Sequence, residues 1–175
     1  MAIPISGSDV YQETLVILKP DALERDLVGA IIDRFERAGL KIVDMHYHRR
    51  VNEALLRKHY PDSMAEGLGK KAQLAASGIV DPTAHGLKVL ERLRKYFTRN
   101  PVIAIRLGGE NSIALVRKVT GYTDPATAEK GTIRGDYGLD SIAKSTAEGR
   151  ACENLIHASG NPEEAKTELA LWFPE

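Results

Sequence analysis

Cysteine, aromatic residues and net charge are all scarce in this sequence. Cys152 is the single cysteine among 175 residues, so no intrachain disulfide can form, which is typical of a reducing compartment. Lys plus Arg number 24 and Asp plus Glu also number 24, so the chain lacks the positive excess that a general polyanion binder needs. Aromatic residues make up only 6%, which argues against a surface that stacks nucleic-acid bases.

Long apolar runs and several well-known motifs are absent as well. The longest apolar stretches, such as residues 15–18, have the length of a strand and are too short to span a bilayer. Residues 1–9 lack the positive flank and apolar segment of a secretory signal, so we expect a cytoplasmic protein with no membrane partner. The sequence has no Walker-type glycine-rich loop, HExxH pair or CxxC pair, which argues against the enzyme classes that use them.

Strand-like and helix-like segments alternate along the chain. Hydrophobic residues make up 43% and charged residues 27%, which is typical of a globular protein, and the length suits one domain over residues 1–175. Short apolar or alternating runs predict strands over 13–18, 40–51, 102–107 and 154–157. Apolar residues at helical spacing predict helices over 26–38, 52–60, 87–97 and 113–120, and a last helix capped by Asn161.

The order of these segments predicts an α+β fold of the ferredoxin-like βαββαβ type. In such a sandwich an antiparallel sheet carries packed helices, which we expect on one face. Residues 61–86 contain four glycines and a run of small residues, and we interpret them as an inserted loop with a short helix. Residues 137–153 are polar and fit neither the strand nor the helix pattern, so they form a second predicted insertion.

Histidines at two places are candidates for chemistry. His157 ends an apolar strand and is followed by small residues that leave room for a ligand, although for this residue taken alone a core or edge histidine is the stronger interpretation. His46 and His48 lie two residues apart on a predicted strand and therefore share a face, as a pair of metal ligands would. No third ligand is evident for that pair, so a solvated polar face is the stronger interpretation.

Basic residues beside turns are candidates for binding one small anion. Lys19 directly follows a predicted strand, and an ordinary surface lysine is an equally good interpretation. Arg134 lies between two glycines in the turn-rich segment 130–136, where glycine permits close approach and a planar guanidinium matches phosphate oxygens. Arg117 and Thr123 add a second charge and a hydroxyl donor. Phosphate binding is one interpretation of these residues, and surface or turn-forming roles are the other.

Five segments, taken together, resemble one enzyme family. They are 13–21 (ETLVILKPD), 59–60 (HY), 131–136 (GTIRGD), 154–159 (NLIHAS) and 163–173, which contains EEA and LWF. In order and spacing they resemble the nucleoside diphosphate kinases, and the resemblance covers most of the chain.

The resemblance implies an enzyme that moves the γ-phosphate of a nucleoside triphosphate to a nucleoside diphosphate by a ping-pong route. It implies that His157 carries the phosphate between the two nucleotides and that Glu168, eleven positions later, orients its ring. It further implies that six residues line the nucleotide site, the first of them also catalytic: Lys19, Tyr60, Arg117, Thr123, Arg134 and Asn154. Mg²⁺ bound mainly through the nucleotide phosphates and a homo-oligomer, either a hexamer or a dimer, are implied as well.

Two positions depart from the family pattern. Typical members carry an aspartate after the serine that follows the histidine, whereas Ser159 is followed by Gly160 here. The phenylalanine on which members stack the base corresponds to Val89 in this sequence. We therefore predict that the phosphate end of the site is kept and that the base end, which the two insertions flank, is rebuilt.

Two alternatives to an active kinase remain open at this point. The main one is a non-catalytic nucleotide-binding or regulatory module on the same fold. The joint presence of His157, Lys19 and Glu168 disfavours it, because a binding module need not keep a nucleophile together with its orienting acid. The other is a nucleic-acid-binding protein built on a ferredoxin-like sheet, which zero net charge and few aromatic residues disfavour.

Overall fold

One four-stranded antiparallel sheet organises the part of the chain that the structure, a computed structural model, describes. The described residues are 10–75 and 78–174. The strands are β1 (Tyr11–Leu18), β2 (Lys41–His48), β3 (Val102–Glu110) and β4 (Ile156–Ala158), in the sheet order β2-β3-β1-β4. Each pair of neighbours is antiparallel. The predicted ferredoxin-like α+β class is therefore confirmed.

Helices fill the connections between these strands. Between β1 and β2 lie α1 (Pro20–Glu24) and α2 (Val28–Arg37). Between β2 and β3 lie α3 (Glu53–His59), a 3₁₀ turn (Asp62–Met64), α4 (Ala65–Ala75) and α5 (Pro82–Phe97). The rest are α6 (Ser112–Thr120), a 3₁₀ turn (Pro125–Thr127), α7 (Ile133–Tyr137), α8 (Ile142–Ala147) and, after β4, α9 (Pro162–Trp172). Within the described ranges, no helix is both long and apolar enough to cross a membrane.

Helices cover both faces of the sheet, and not one face as expected. Leu15 and Ile17 of β1 are fully buried in a core that includes residues of α3, α5 and α9. Val16 and Leu18 are fully buried in a second core that includes residues of α2 and α6. Because neighbouring residues of a strand point to opposite faces, an unbroken run of apolar residues needs apolar cover on both sides.

Two element boundaries near the ends of β1 and β4 differ from the predicted ones. α1 is an additional helix directly after β1, and it begins with Pro20, whose fixed φ suits the first helical turn. β4 begins at Ile156, two residues later than predicted, because Leu155 has a φ of 70°, in the left-handed region. Asn154 and Leu155 therefore form a bend that leads into β4.

The first predicted insertion is mainly a pair of helices, α4 and the beginning of α5, and less of it is loop than expected. A Cβ atom built on Gly69 would lie 1.6 Å from the backbone oxygen of Pro82, and one on Gly86 would lie 1.8 Å from that of Ala65. The two helices therefore touch backbone to backbone at their glycines. α5 begins at Pro82, five residues earlier than predicted, where the Asp81 carboxylate caps it by accepting the Ala84 N–H.

An arginine fixes the second predicted insertion, which contains α8. Arg150 donates from Nη1 and Nη2 to the two oxygens of Asp140 at 2.5 and 2.9 Å, and from Nε to Glu148 at 2.7 Å. These hydrogen bonds from Arg150 lower the pKa of the Asp140 carboxyl. Charged hydrogen bonds, more than apolar packing, therefore order this polar segment.

β2 forms one edge of the sheet, and its side chains are largely exposed. Tyr47 is 63% exposed and Met45 is 48% exposed. A β-bulge between Ile42 and Asp44 shifts the register against β3. An edge strand of this kind presents unpaired backbone groups to another chain.

The two histidines of β2 support the last helix. The His46 ring lies 4.6 Å from the ring of Phe173, and the His48 ring lies 5.2 Å from that of Trp172, between ring centroids. The two histidine rings are 6.2 Å apart. This face of β2 therefore packs on the end of α9, where a purely solvated face was expected.

Candidate active site

His157 lies on β4, opposite Ile17 of β1, and its ring is anchored by a carboxylate. His157 Nε2 is 3.0 Å from both Glu168 Oε1 and Oε2. An ionised carboxylate only accepts hydrogen bonds, so Nε2 must donate, and in the neutral ring the lone pair then lies on Nδ1. The side chain is 17% exposed, which leaves the ring partly open. The arrangement presents Nδ1 as a nucleophile of fixed orientation.

Ser159 completes the support of this carboxylate. It is fully buried, and its Oγ donates to Glu168 Oε2 at 2.5 Å. The Gly160 N–H donates to Glu164 Oε2 at 2.8 Å, so the backbone is fixed where the family pattern has an aspartate. The departure at Gly160 therefore leaves the serine well oriented.

Lys19 and Asn154 form a buried pair at the end of β1. Lys19 is 5% exposed, and its Nζ donates to Asn154 Oδ1 at 2.7 Å. Burial, and to a smaller extent the positive charge of Arg134, lowers the pKa of Lys19 to about 8. Asn154 Nδ2 donates in turn to the backbone oxygen of Thr123 at 2.9 Å. The asparagine thus connects the lysine to the loop after α6.

Arg134, on α7, is buried among backbone carbonyls. Its Nε, Nη1 and Nη2 donate to the oxygens of Asn154 (3.0 Å), Gly121 (3.2 Å) and Ile156 (2.6 Å). Burial lowers the pKa of Arg134 to about 10, and the charge of Arg117 acts in the same direction. Arg134 is therefore close enough to repel both Lys19 and Arg117, which is the electrostatic setting of an anion site.

The remaining residues predicted to line the site differ in exposure. Arg117 lies in the last turn of α6, and both it and Thr123 are exposed. Tyr60 is buried, and its ring centroid lies 6.2 Å from that of His157. Burial raises the pKa of the Tyr60 hydroxyl, so this group stays protonated and can donate. Val89 is partly buried in α5, two helical turns before Phe97, whose ring lies 5.7 Å from Lys19 Nζ.

These positions can be compared with known proteins. The family model for nucleoside diphosphate kinase matches residues 12–72 and 83–175. A nucleoside diphosphate kinase of Pyrobaculum aerophilum is 42% identical over 176 residues, which cover 94% of this chain and 96% of that protein. The chain belongs to the nucleoside diphosphate kinase family. Another member, from Borreliella burgdorferi, is 36% identical over 168 residues, 95% of this chain and 89% of that protein.

Solved structures of nucleoside diphosphate kinases share the fold. The crystal structure of an NDP kinase from Pyrobaculum aerophilum has a TM-score of 0.88 and 37% identity, and covers 95% of this chain and 97% of that one. The kinase from Borrelia burgdorferi, a transition state mimic with bound vanadate and ADP, has a TM-score of 0.81 and 36% identity over 96% of this chain and 90% of that one. The predicted family, the kinase activity and the enzyme class are confirmed.

Within this nucleoside diphosphate kinase fold, a contact network outside the predicted site residues holds the bend before β4. Asp21 is 1% exposed; its Oδ1 accepts a hydrogen bond from the Tyr96 hydroxyl and its Oδ2 accepts the Leu155 N–H at 3.1 Å. Asp21 belongs to the KPD segment, so this motif could have identified it as a residue of the site. The partner tyrosine, on α5, has no such signal in the sequence.

His59 and Trp172 are a second pair that the sequence did not assign. The Trp172 Nε1–H donates to His59 Nδ1 at 3.2 Å, and the His59 and His157 ring centroids are 4.5 Å apart. His59, His157 and Glu168 place possible metal-ligand atoms within 4.8 Å of one another. Trp172 occupies the lone pair of His59 Nδ1, however, so this cluster is organised by its own hydrogen bonds.

The donor groups of the site agree with Mg²⁺ held by a nucleotide. Mg²⁺ prefers oxygen ligands, yet Glu168 is engaged by His157 and Ser159, and Asp21 by Tyr96 and Leu155. The other predicted site groups are cations or neutral donors. A magnesium ion in this site would therefore take most of its ligands from phosphate oxygens and water.

Proposed function

We propose that this chain transfers the γ-phosphate of a nucleoside triphosphate to a nucleoside diphosphate through phospho-His157. The observation that carries the proposal is the fixed imidazole: Glu168 holds Nε2 at 3.0 Å, which leaves the lone pair on Nδ1. Lys19, Arg134 and Arg117 supply three positive charges in the same region. A phosphate group brought to this region meets both a nucleophile and charges that neutralise its oxygens.

The reaction proceeds in two balanced steps. His157 Nδ1 donates its lone pair to the γ-phosphorus, the bond from phosphorus to the bridging β–γ oxygen breaks, and the nucleoside diphosphate leaves with that electron pair. The ring is then positively charged, and Glu168 stabilises this charge through Nε2–H. In the second step a terminal oxygen of another nucleoside diphosphate attacks the phosphohistidine, and His157 regains its lone pair.

The other residues have distinct proposed tasks in phosphate binding. Lys19 and Arg117 neutralise phosphate oxygens, and the Tyr60 hydroxyl and Thr123 donate hydrogen bonds. Arg134 acts as a buried charge, since three carbonyls already accept from it. Mg²⁺, carried by the nucleotide, neutralises and orients the phosphates when bound.

Asn154 has a twofold role in the proposal. Its Oδ1 accepts from Lys19 and its Nδ2 donates to Thr123 in the nucleotide-free site. Oδ1 has a second lone pair and Nδ2 has a second N–H. A sugar hydroxyl can therefore bind Asn154 while Lys19 and the Thr123 loop keep their hydrogen bonds, and Asn154 would link the sugar to the phosphate-binding residues.

The base end is proposed to lie along α5 at Val89. This position lacks an aromatic platform, so the base would contact an aliphatic wall. The adjacent helical hairpin and the Arg150 segment would then bound the base on either side. This is the part of the site in which preference among nucleotides is decided.

We further propose that the chain forms a homo-oligomer through β2 and acts in the cytoplasm. The edge position of β2 and the exposure of Met45 and Tyr47 support pairing with β2 of a second copy. Light scattering of the wild type, of Tyr47→Lys and of a chain lacking residues 63–83 measures the assembly. Loss of oligomer in Tyr47→Lys supports this interface, and loss only in the deletion variant places it on the insertion.

Labelling with γ-³²P-ATP tests the proposed function directly. The protein should acquire label that acid removes and base does not, and subsequent addition of a nucleoside diphosphate should release it as triphosphate. His157→Ala should abolish the label, whereas His85→Ala, a histidine on α5, should retain it. A wild-type protein that binds ATP but takes up no label would instead be a non-catalytic nucleotide-binding module.

A further inference from the structure

We propose that His59 is a positioning residue for this phosphoryl transfer, which together with Trp172 keeps the Glu168 carboxylate available to His157 alone. The inference rests on the proposed function, because it concerns the same nucleophile. His59 ends α3 and Trp172 ends α9, so the pair joins two elements that pack on the same face of the sheet.

His59 is a neutral ring in the folded protein. Its side chain is 0% exposed. Burial lowers the pKa of His59 well below the ordinary value, and the neighbouring His157 and Lys19 lower it further. A neutral imidazole carries one proton, so one ring nitrogen donates and the other accepts.

Trp172 determines which nitrogen carries that proton. The indole N–H is a donor only, and it lies 3.2 Å from His59 Nδ1. Nδ1 must therefore accept, and the proton lies on Nε2. The tautomer of His59 is thus fixed by a residue on the last helix.

This tautomer matters because of the distance between His59 and the carboxylate. His59 Nδ1 lies 3.8 Å from Glu168 Oε1, which is only slightly beyond hydrogen-bond reach. With its lone pair on Nδ1, His59 cannot donate to Glu168. With the proton on Nδ1, it would compete with His157 Nε2 for the same oxygen. Trp172 therefore protects the hydrogen bond that orients the nucleophile.

The His59 ring also limits the motion of the nucleophile. The His59 and His157 rings meet edge to face, with centroids 4.5 Å apart and an interplanar angle of 79°. A flip of the His157 ring would remove Nε2 from Glu168, and it must push against His59. Tyr60 adds a second ring on that side, 6.2 Å from His157 at 85°.

Stability alone does not account for a histidine at this position. Among the described residues, His59 Nε2 has no hydrogen-bond partner although it is buried. A buried polar group without a partner costs stability, and an apolar ring of similar size would avoid that cost. The accepting nitrogen at Nδ1 is what a phenylalanine could not supply.

Three variants distinguish a positioning role of His59 and Trp172 from a role in packing alone. Trp172→Phe removes the N–H donor and keeps a ring, and His59→Phe removes the acceptor and keeps a ring. His59→Asn places an amide oxygen near the position of Nδ1 and should rescue much of the function. Phe173→Leu, which alters a ring beside His46 and not His59, is the matched control.

Rapid-quench phosphorylation of His157 by ATP is the first measurement. In Trp172→Phe the His59 proton can move to Nδ1 and compete for Glu168. In His59→Phe the buried Trp172 N–H loses its acceptor on α9, the helix that also carries Glu168. In both variants we expect the rate at saturating ATP to fall about 10- to 100-fold, by analogy with other groups that orient a functional histidine. The KM for ATP should stay near the wild-type value. Phe173→Leu should keep the wild-type rate and KM.

Long-range ¹H–¹⁵N correlation of the imidazoles in the wild-type protein is the second measurement, and it needs no variant to fold. We expect the His59 proton on Nε2; a proton on Nδ1 overturns the proposal. If wild-type His157 is phosphorylated but Trp172→Phe and His59→Phe keep the rate, positioning by His59 is wrong and the proposed function stands. If the wild type takes up no phosphate at all, the proposed function is wrong and this inference is wrong with it.

Discussion

The carboxylate of Asp21 accepts a hydrogen bond from the backbone N–H of Leu155 at 3.1 Å, across 134 positions of sequence. The backbone oxygen of Leu155 accepts from the Lys19 N–H at 2.8 Å. Leu155 has a φ of 70°, a conformation that costs a leucine about 1–3 kcal/mol. The two hydrogen bonds hold this strained residue in the bend between Asn154 and His157.

Replacement of Asp21 by asparagine should weaken this bend. Asp21→Asn should lower the free energy of unfolding by about 1–3 kcal/mol, because one amide oxygen replaces the two that accept from Tyr96 and Leu155. Urea denaturation measures the change. Asp33→Asn, an exposed carboxylate on α2, is the control and should change stability by less than about 0.5 kcal/mol. A loss no larger in Asp21→Asn than in this control would contradict the expectation.

The glycines between α4 and α5 should tolerate no side chain. Gly69→Ala and Gly86→Ala force the helices apart, since the new Cβ would lie 1.6 and 1.8 Å from a backbone oxygen, and each should destabilise the protein by about 1–3 kcal/mol. Gly67→Ala, on the same helix α4, has no neighbour within 4 Å and should stabilise by about 0.5–1 kcal/mol. Thermal unfolding of the three variants measures these changes in stability. Equal changes in Gly67→Ala and Gly69→Ala would contradict the close packing of α4 and α5.

Nucleotide binding should take up a proton above neutral pH. The pKa of Lys19 is lowered to about 8 by burial, whereas a bound diphosphate favours the charged ammonium. As the pH rises through about 8, the free protein loses this proton and its affinity for ADP should fall. Calorimetry in two buffers of different ionisation enthalpy measures the uptake. Lys19→Arg, which stays charged, should show none, and equal uptake in both proteins would argue against Lys19.

The same shift predicts a pH dependence of folding stability. The unfolded lysine holds its proton up to about pH 10.4, so above about pH 8 the unfolded state binds more protons than the folded one, and stability should rise with pH. Burial raises the pKa of the Cys152 thiol to about 11, which acts in the opposite direction once unfolded thiols ionise near pH 9. The rise should therefore be visible between about pH 8 and 9. In Lys19→Met the urea midpoint should not change with pH over this interval. If it rises with pH as steeply as in the wild type, a group other than Lys19 causes the pH dependence of stability.

The base end of the site can be tested at Val89. If this position faces the base, Val89→Phe adds a stacking surface worth about 1–3 kcal/mol and should lower KM for purine diphosphates more than for pyrimidine diphosphates. Steady-state kinetics with four diphosphates measures the pattern. Leu87→Phe, an exposed residue on the same helix, is the control. Unchanged KM values in Val89→Phe would place the base platform elsewhere.

Local patterns in the sequence predicted the fold class, but not how distant segments meet. β1 and α9 were recognisable from an apolar run and a capping asparagine, and the resemblance to the nucleoside diphosphate kinases pointed to Glu168, whose carboxylate lies 3.0 Å from His157 Nε2. The contacts between Tyr96 and Asp21 and between Trp172 and His59 span 75 and 113 positions, and no local pattern encodes them. The α4–α5 hairpin was missed because glycine usually marks a turn, whereas here Gly69 and Gly86 permit close packing of two helices.

The hydrogen bond from Lys19 to Asn154 joins residues 135 positions apart: Lys19 directly follows β1, and Asn154 lies in the bend before β4. A nascent chain that ends before β4 contains Lys19 and Arg134 but neither His157 nor Glu168. If His157 is the nucleophile, as proposed, no partly made chain can take up phosphate before β4 and α9 are synthesised, and arrest peptides placed before and after α9 would time the onset.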